Sequence, residues 1–231
     1  MFKKLLFIVI FLVVVLYVGV SIAAPAYGTH MPKERHWTCG LEGNFVIDRN
    51  LDNEEGGSNS NRYFVNCSYG VFSWFSFDGK IGVGDVDWNR TRGNTDISYS
   101  ANFAGGYGFR IKGFENEEWG IKSVAGFQHI SVHPDAKNQE GNKHEVIIDD
   151  WQGSVIVSKD IGGFVSYLGA RYGTYDFIKW VDEASRKRIK SEKIYGVILG
   201  LDWRLDKRTK VNLEGTFFDG EELAIGISRD F

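Results

Sequence analysis

The sequence predicts an all-β protein, a transmembrane antiparallel up-and-down β-barrel of about 10 strands (8 to 12), preceded by a signal peptide. Three observations lead there. Glu222 to Phe231 alternates Leu223, Ile225, Ile227 and Phe231 on one face with Glu222, Ala224, Gly226, Ser228 and Asp230 on the other. An apolar face at period 2 that ends on a terminal aromatic suits a strand lying between lipid and water. At the other end, Met1 to Ala26 carries Lys3 and Lys4, an apolar run from Leu5 to Val20, and small residues at Ala23, Ala24 and Ala26. That order is the order of a secretory leader. Third, the chain holds 28 Gly, only 3 Pro and 15% aromatic residues, a composition for many twisted strands with rings at a membrane boundary.

Residues 1–26 are therefore assigned to the signal peptide and 27–231 to a single barrel domain. Cleavage after Ala26 follows an Ala-Pro-Ala site, with cleavage after Ala23 as the alternative. The apolar run is shorter than the roughly 20 residues that an uncleaved anchor helix needs.

Strands are expected at approximately 37–48, 62–75, 79–90, 95–112, 118–131, 144–159, 163–178, 191–205, 209–218 and 221–231. The clearest is Thr95 to Lys112, where Ile97, Tyr99, Ala101, Phe103, Tyr107, Phe109 and Ile111 alternate with mostly polar or small residues. Tyr195, Val197, Leu199, Leu201 and Trp203 repeat the pattern, as do Val211, Leu213, Gly215 and Phe217. Short turns are expected near Phe77-Asp78-Gly79, Glu115-Asn116-Glu117, Ile161-Gly162 and Asp206-Lys207-Arg208, with tight links at Arg90 to Asn94 and Asp219-Gly220. Longer polar loops fall at Leu51 to Asn61, His133 to Lys143 and Val181 to Lys190. Alternating connection lengths put both termini in the periplasm. The rival architecture is a soluble sandwich.

Cys39 shares a face with Leu41, Phe45 and Ile47, and Cys67 with Tyr63, Val65, Tyr69 and Val71, so both point outward. A hairpin centred on Asn53 sets them opposite each other, where an oxidising compartment permits a disulfide. The alternative is two free lipid-facing thiols in a slipped register.

The expected interior carries both signs of charge: Glu42, Asp85, Asp87, Arg110, Lys112, Arg171, Asp202, Arg204 and Glu214, together with Asp48, Asp150, Lys210 and Glu222. In a barrel this narrow such groups are expected to pair across the lumen and plug it. A narrow solute pore is the competing expectation.

On the strand ending at Ser131, the outward set Trp119, Ile121, Ala125 and Phe127 continues into His129 and Ser131. At ~3.3 Å per residue and ~45° tilt, that stretch climbs about 28 Å and reaches the outer headgroup level. A hairpin centred near Asn138 places Glu145 opposite Ser131, on a face shared with Ile147 and Trp151. A His can accept the proton of a Ser two residues away, and a neighbouring acid can orient the ring.

Two resemblances attach to these residues. The alternating apolar residues closing on Phe231 resemble the C-terminal assembly signal of Gram-negative outer-membrane β-barrels. This resemblance implies the bacterial outer membrane as the location and the barrel-assembly machinery as a partner. Gly126-Phe127-Gln128-His129-Ile130-Ser131 resembles PagL, the outer-membrane lipid A deacylases. That resemblance implies Ser131 as nucleophile, His129 as base and Glu145 as orienting acid, although Val132 stands where the family has Asn.

A formal net charge of -3 argues against a nucleic-acid partner. No glycine-rich nucleotide loop or zinc pattern occurs, so no cofactor or metal is expected. His133, Asp135 and His144 with His129 form a weaker metal candidate, and Arg186 to Lys190 could meet lipopolysaccharide phosphates. The expected role is thus structural or surface-interacting, in a monomeric barrel touching outer-membrane lipids and lipopolysaccharide. A lipid acyl-ester hydrolase is the alternative.

Overall fold

A computed structural model describes residues 28–52, 55–90, 96–139, 141–182 and 184–231. The expected leader at 1–26 and most of the tight link at 90–94 lie outside the described residues. Ten long strands form the barrel: β1 (Trp37–Asn50), β2 (Gly57–Phe72), β3 (Phe75–Asn89), β4 (Ile97–Asn116), β5 (Ile121–Val132), β7 (Asn142–Ile161), β8 (Phe164–Val181), β10 (Tyr195–Arg204), β11 (Thr209–Phe217) and β12 (Glu221–Asp230). Two short strands, β6 (Lys137–Gln139) and β9 (Lys187–Lys190), pair only with β7 and β8. Neighbours along the sheet are antiparallel, β1 pairs with β12, and β7 pairs with both β5 and β8, so the sheet closes on itself. Closure leaves no open edge in the ten-strand wall.

The wall has inverted polarity. Leu41, Val65, Ile81, Val155, Leu168 and Ile225 stand on the outer surface, Leu41 and Ile81 being 61% and 62% exposed. Aromatic side chains such as Trp37, Trp74, Trp119, Trp203 and Phe231 stand with them toward the end that carries the termini. Arg49, Arg62, Arg171, Glu214 and Glu222 face inward and are buried. Water would reward the opposite arrangement, whereas hydrocarbon favours this one.

Three layers fill the interior. At the end away from the termini, Phe64, Trp88, Tyr99, Ile130, Ile148, Tyr175 and Phe177 pack with Leu51 and Ile189, which come in from the connecting segments. Midway, Arg49, Arg62 and Arg171 meet Asp150, Asp219 and Glu222; Arg171 Nε reaches Asp219 Oδ2 at 2.6 Å and Arg62 Nη1 lies 3.7 Å from Asp150 Oδ2. Near the termini, the segment from Gly28 to Pro32 lies inside the wall. There Thr29 Oγ1 is 2.5 Å from Ser158 Oγ, Arg110 Nη1 donates to the His30 carbonyl at 2.7 Å, and Met31 packs on Val124, Ile156, Tyr167 and Ile198.

Several expected placements differ. The turn expected at Phe77-Asp78-Gly79 lies instead at Ser73-Trp74. Asp78 sits within β3 and accepts from Arg110 Nε and Nη2 at 2.9 and 2.7 Å, so an ion pair holds an Asp-Gly dipeptide in a strand. Asp85 and Asp87 are not lumen residues. They keep the outward parity of Phe77, Ile81 and Val83 along β3, while Val86 and Trp88 continue the inward set of Ser76, Asp78 and Gly84, and Asp85 accepts from Asn61. Lys112 and Arg204 stand near the mouth of the barrel, paired with Glu115 and Asp160. Glu42, Arg110, Arg171, Asp202 and Glu214 do face the lumen and are buried. The basic run Arg186 to Lys190 is largely strand β9, because Ile189 among the charges is drawn into the apolar layer and is 2% exposed.

Candidate functional site on the outer face of the barrel

Cys39 and Cys67 are direct partners in the β1–β2 register, with Cα atoms 4.1 Å apart, and are joined by a disulfide. The short separation is that of a close antiparallel pair.

The polar cluster that stands out on the apolar exterior forms where β4, β5 and β7 meet. Along β5, Val124, Gln128, Ile130 and Val132 face inward, which leaves His129 and Ser131 outward, with His133 following on the same face. The β5–β7 register sets Ser131 opposite Asp149 and His129 opposite Trp151. Glu145 does not take part. It lies four residues further along β7, opposite Trp180, where it accepts from Trp180 Nε1 at 2.6 Å and from Lys143 Nζ at 2.9 Å. Glu145 and Asp149 share strand parity, so alternation alone cannot separate them. The length of the connection does: residues 133–136 are unpaired, and the β6–β7 hairpin turns between Gln139 and Asn142, two residues beyond the expected centre.

Ser131 Oγ donates to Asp149 Oδ1 at 2.6 Å and lies 2.9 Å from His133 Nε2. Its single proton serves one of these groups at a time, so the other contact requires protonated Nε2 or a bent arrangement. His129 Nε2 lies 3.4 Å from Asp149 Oδ1, but it is buried and forms no hydrogen bond. The ring of His129 instead stacks on Trp151, with centroids 3.9 Å apart, and leans on Tyr107 at 5.2 Å. The hydroxyl is thus held by His133 and Asp149, the stacked histidine is next to the acid, and aromatic groups shield one side. Such an arrangement can withdraw a proton from the Ser131 hydroxyl, through the acid or the His133 ring. His133 and Asp149 escaped sequence reasoning as partners of Ser131; their outward parity was the available signal.

Among the described residues no group of three or more His, Cys, Asp or Glu side chains is arranged to hold a metal ion. Asp135 is engaged by Asn102 Nδ2 at 2.6 Å. In the basic segment, Arg186 lies over Trp180, Lys187 pairs with Glu55, and Arg188 Nη1 is 3.6 Å from Asp176.

No protein-family model and no curated protein matches the sequence. Among solved structures, an outer membrane channel from Pseudomonas putida F1 is similar with a TM-score of 0.48 and 8% identity, over 90% of this chain and 100% of that one. The transport unit of the autotransporter AIDA-I from Escherichia coli gives 0.44 and 10%, over 90% and 92%. The translocator domain of the autotransporter NalP from Neisseria meningitidis gives 0.45 and 10%, over 87% and 90%. Likenesses this distant carry no functional assignment, and what the chain itself displays is a closed ten-stranded antiparallel barrel with an apolar exterior.

Proposed function

We propose that the chain is an integral protein of the bacterial outer membrane, with both termini in the periplasm. In this reading it is a monomeric barrel with a structural or surface-interaction role, and its own side chains close the lumen to solutes. The inverted polarity of the wall carries the reading: an apolar exterior around buried arginines and carboxylates fits hydrocarbon outside and a paired polar interior. Only helices and closed barrels satisfy every backbone group in lipid, and this barrel is closed. The strand that ends at Phe231 supports recognition by barrel-assembly machinery, and the disulfide suits an oxidising compartment. The apolar layer from Phe64 to Phe177 and the arginine–carboxylate layer speak against a pore. Planar-bilayer recording of refolded protein that migrates in heat-modifiable form tests this. Closed, silent insertion is expected, and stepwise conductance would overturn the closed lumen.

A second reading, lipid acyl-ester hydrolysis at the outer leaflet, is favoured by the Ser131 hydroxyl between His133 and Asp149. Ser131 Oγ would attack the acyl carbon while its proton passes to the adjoining base, and the alcohol would leave with a proton. Water would then release the fatty acid and return the hydroxyl. Fatty acid released from lipopolysaccharide by the protein, and lost in Ser131→Ala, is the expected result; no release from either rejects hydrolysis of that lipid.

A further inference from the structure

Two histidines flank Ser131 on its own strand face. His129 precedes it within β5, and His133 follows it at the same interval, just past the strand end. The structure gives the two rings different surroundings. The backbone N–H of His133 donates to the Phe103 carbonyl at 2.8 Å, and that of Asp135 donates to the Ser100 carbonyl at 2.9 Å, so the chain runs on beside β4 after β5 ends. Asn102 Nδ2 holds the Asp135 carboxylate at 2.6 Å and fixes the far side of this segment. Alternation then keeps the His133 ring outward, with Nε2 at 2.9 Å from Ser131 Oγ.

His129 is held elsewhere. Its ring is stacked on Trp151, with centroids 3.9 Å apart, and leans on Tyr107. Its Nε2 makes no hydrogen bond to Ser131 and lies 3.4 Å from Asp149 Oδ1.

We infer that His133 is the base that takes the Ser131 proton, and that His129 is a positioning residue acting through Asp149. The inference rests on the ester-hydrolase reading. It moves the base role that the local resemblance gives to His129 to the histidine on the other side of the nucleophile.

At rest the hydroxyl donates to Asp149 Oδ1 at 2.6 Å. A carboxylate is a weak base toward an alcohol, whereas imidazole has a proton affinity matched to neutral pH. For attack the hydroxyl turns to unprotonated His133 Nε2, and Asp149 Oδ1 takes up the His129 Nε2–H in its place. The proton moves from Oγ to His133 as the bond from Oγ to the acyl carbon forms, and it passes to the departing alcohol oxygen as the ester C–O bond breaks. In the second half, water gives one proton to His133 while its oxygen joins the acyl carbon. That proton returns to Oγ as the fatty acid leaves. Asp149 and His133 reach the same oxygen, so the carboxylate faces the imidazolium that forms in each half.

The test measures fatty-acid release from lipopolysaccharide by the full-length barrel and two variants, each checked for heat-modifiable migration. His133→Ala should lower release by about 10²-fold or more, and added imidazole should restore part of it. His129→Gln keeps an N–H beside Asp149 and should lower release by less than about tenfold. The reverse order, or equal losses in the two variants, overturns the assignment while the hydrolase reading stands. Loss in His133→Ala with no return in imidazole marks a structural role for that ring and overturns it too. No release from the unaltered protein removes the hydrolase reading and the inference with it.

Discussion

The phenol ring of Tyr167 fills the space that a side chain at position 200 would occupy. The two residues face each other across β8 and β10, and a Cβ on Gly200 would lie 2.0 Å from the ring Cζ. The ring placed there lets the Tyr167 hydroxyl donate to Glu214 Oε2 at 2.7 Å and accept from Asn212 Nδ2 at 2.8 Å. Gly200→Ala should therefore displace the ring and break the Tyr167–Glu214 hydrogen bond, costing about 1–3 kcal/mol in urea unfolding from lipid vesicles. Gly153→Ala, whose new Cβ has its nearest neighbour at 3.9 Å, should change stability by less than about 0.5 kcal/mol. Equal effects at the two positions would dismiss the packing argument.

The disulfide between Cys39 and Cys67 closes a stretch with a sequence separation of 28. Loop-closure entropy alone assigns it about 3–4 kcal/mol. Cys39→Ser with Cys67→Ser should lower the urea midpoint accordingly while the barrel still forms, since both strands keep their other ladder partners. An unchanged midpoint would show that the wall already restrains this hairpin.

If the outer-face cluster hydrolyses lipid esters, Asp149 and not Glu145 is its acid. Asp149→Asn and Ser131→Ala should each lower fatty-acid release by about 10²-fold or more. Glu145→Gln, at a carboxylate engaged by Trp180 and Lys143 and not by Ser131, should leave the rate near that of the unaltered protein. A loss confined to Glu145→Gln would reject the register-based assignment.

Glu55, in the connection between β1 and β2, accepts from Lys179 Nζ at 2.6 Å and also pairs with Lys187. Burial opposes ionisation of the carboxyl, but the two ammonium groups outweigh it and hold its pKa below the ordinary value. A depressed carboxyl stabilises the closed loop fully above the unfolded-state value of about 4.3, and this is lost as pH falls through the lower folded value. Lys187 is 61% exposed, so the contribution stays within about 1 kcal/mol. A ¹³C-carboxyl NMR titration should give Glu55 a midpoint below the ordinary range, rising in Lys179→Met. A midpoint at or above that range would show that the loop contact does not persist in solution.

By itself, the sequence determined the barrel. Ten strand segments, their inward and outward faces, and the C-terminal strand that ends in Phe231 follow from period-2 alternation, because a lipid-facing wall imposes that alternation on every strand. Where alternation was the whole signal, it was also the limit. It could not tell Glu145 from Asp149, two positions of equal parity, because the choice depends on how many residues the β5–β7 connection consumes before pairing begins. Asp85 and Asp87 were read as lumen residues although they share the outward parity of Ile81 and Val83, and Asp78-Gly79 was read as a turn although Arg110, on the neighbouring strand β4, holds Asp78 in β3. Tertiary structure alone decided that residues 28–32 lie inside the wall and that Ile189 draws a run of charge into β9. Each of these depends on contacts between residues far apart in the chain, and a local pattern of alternation carries no information about partners at that distance.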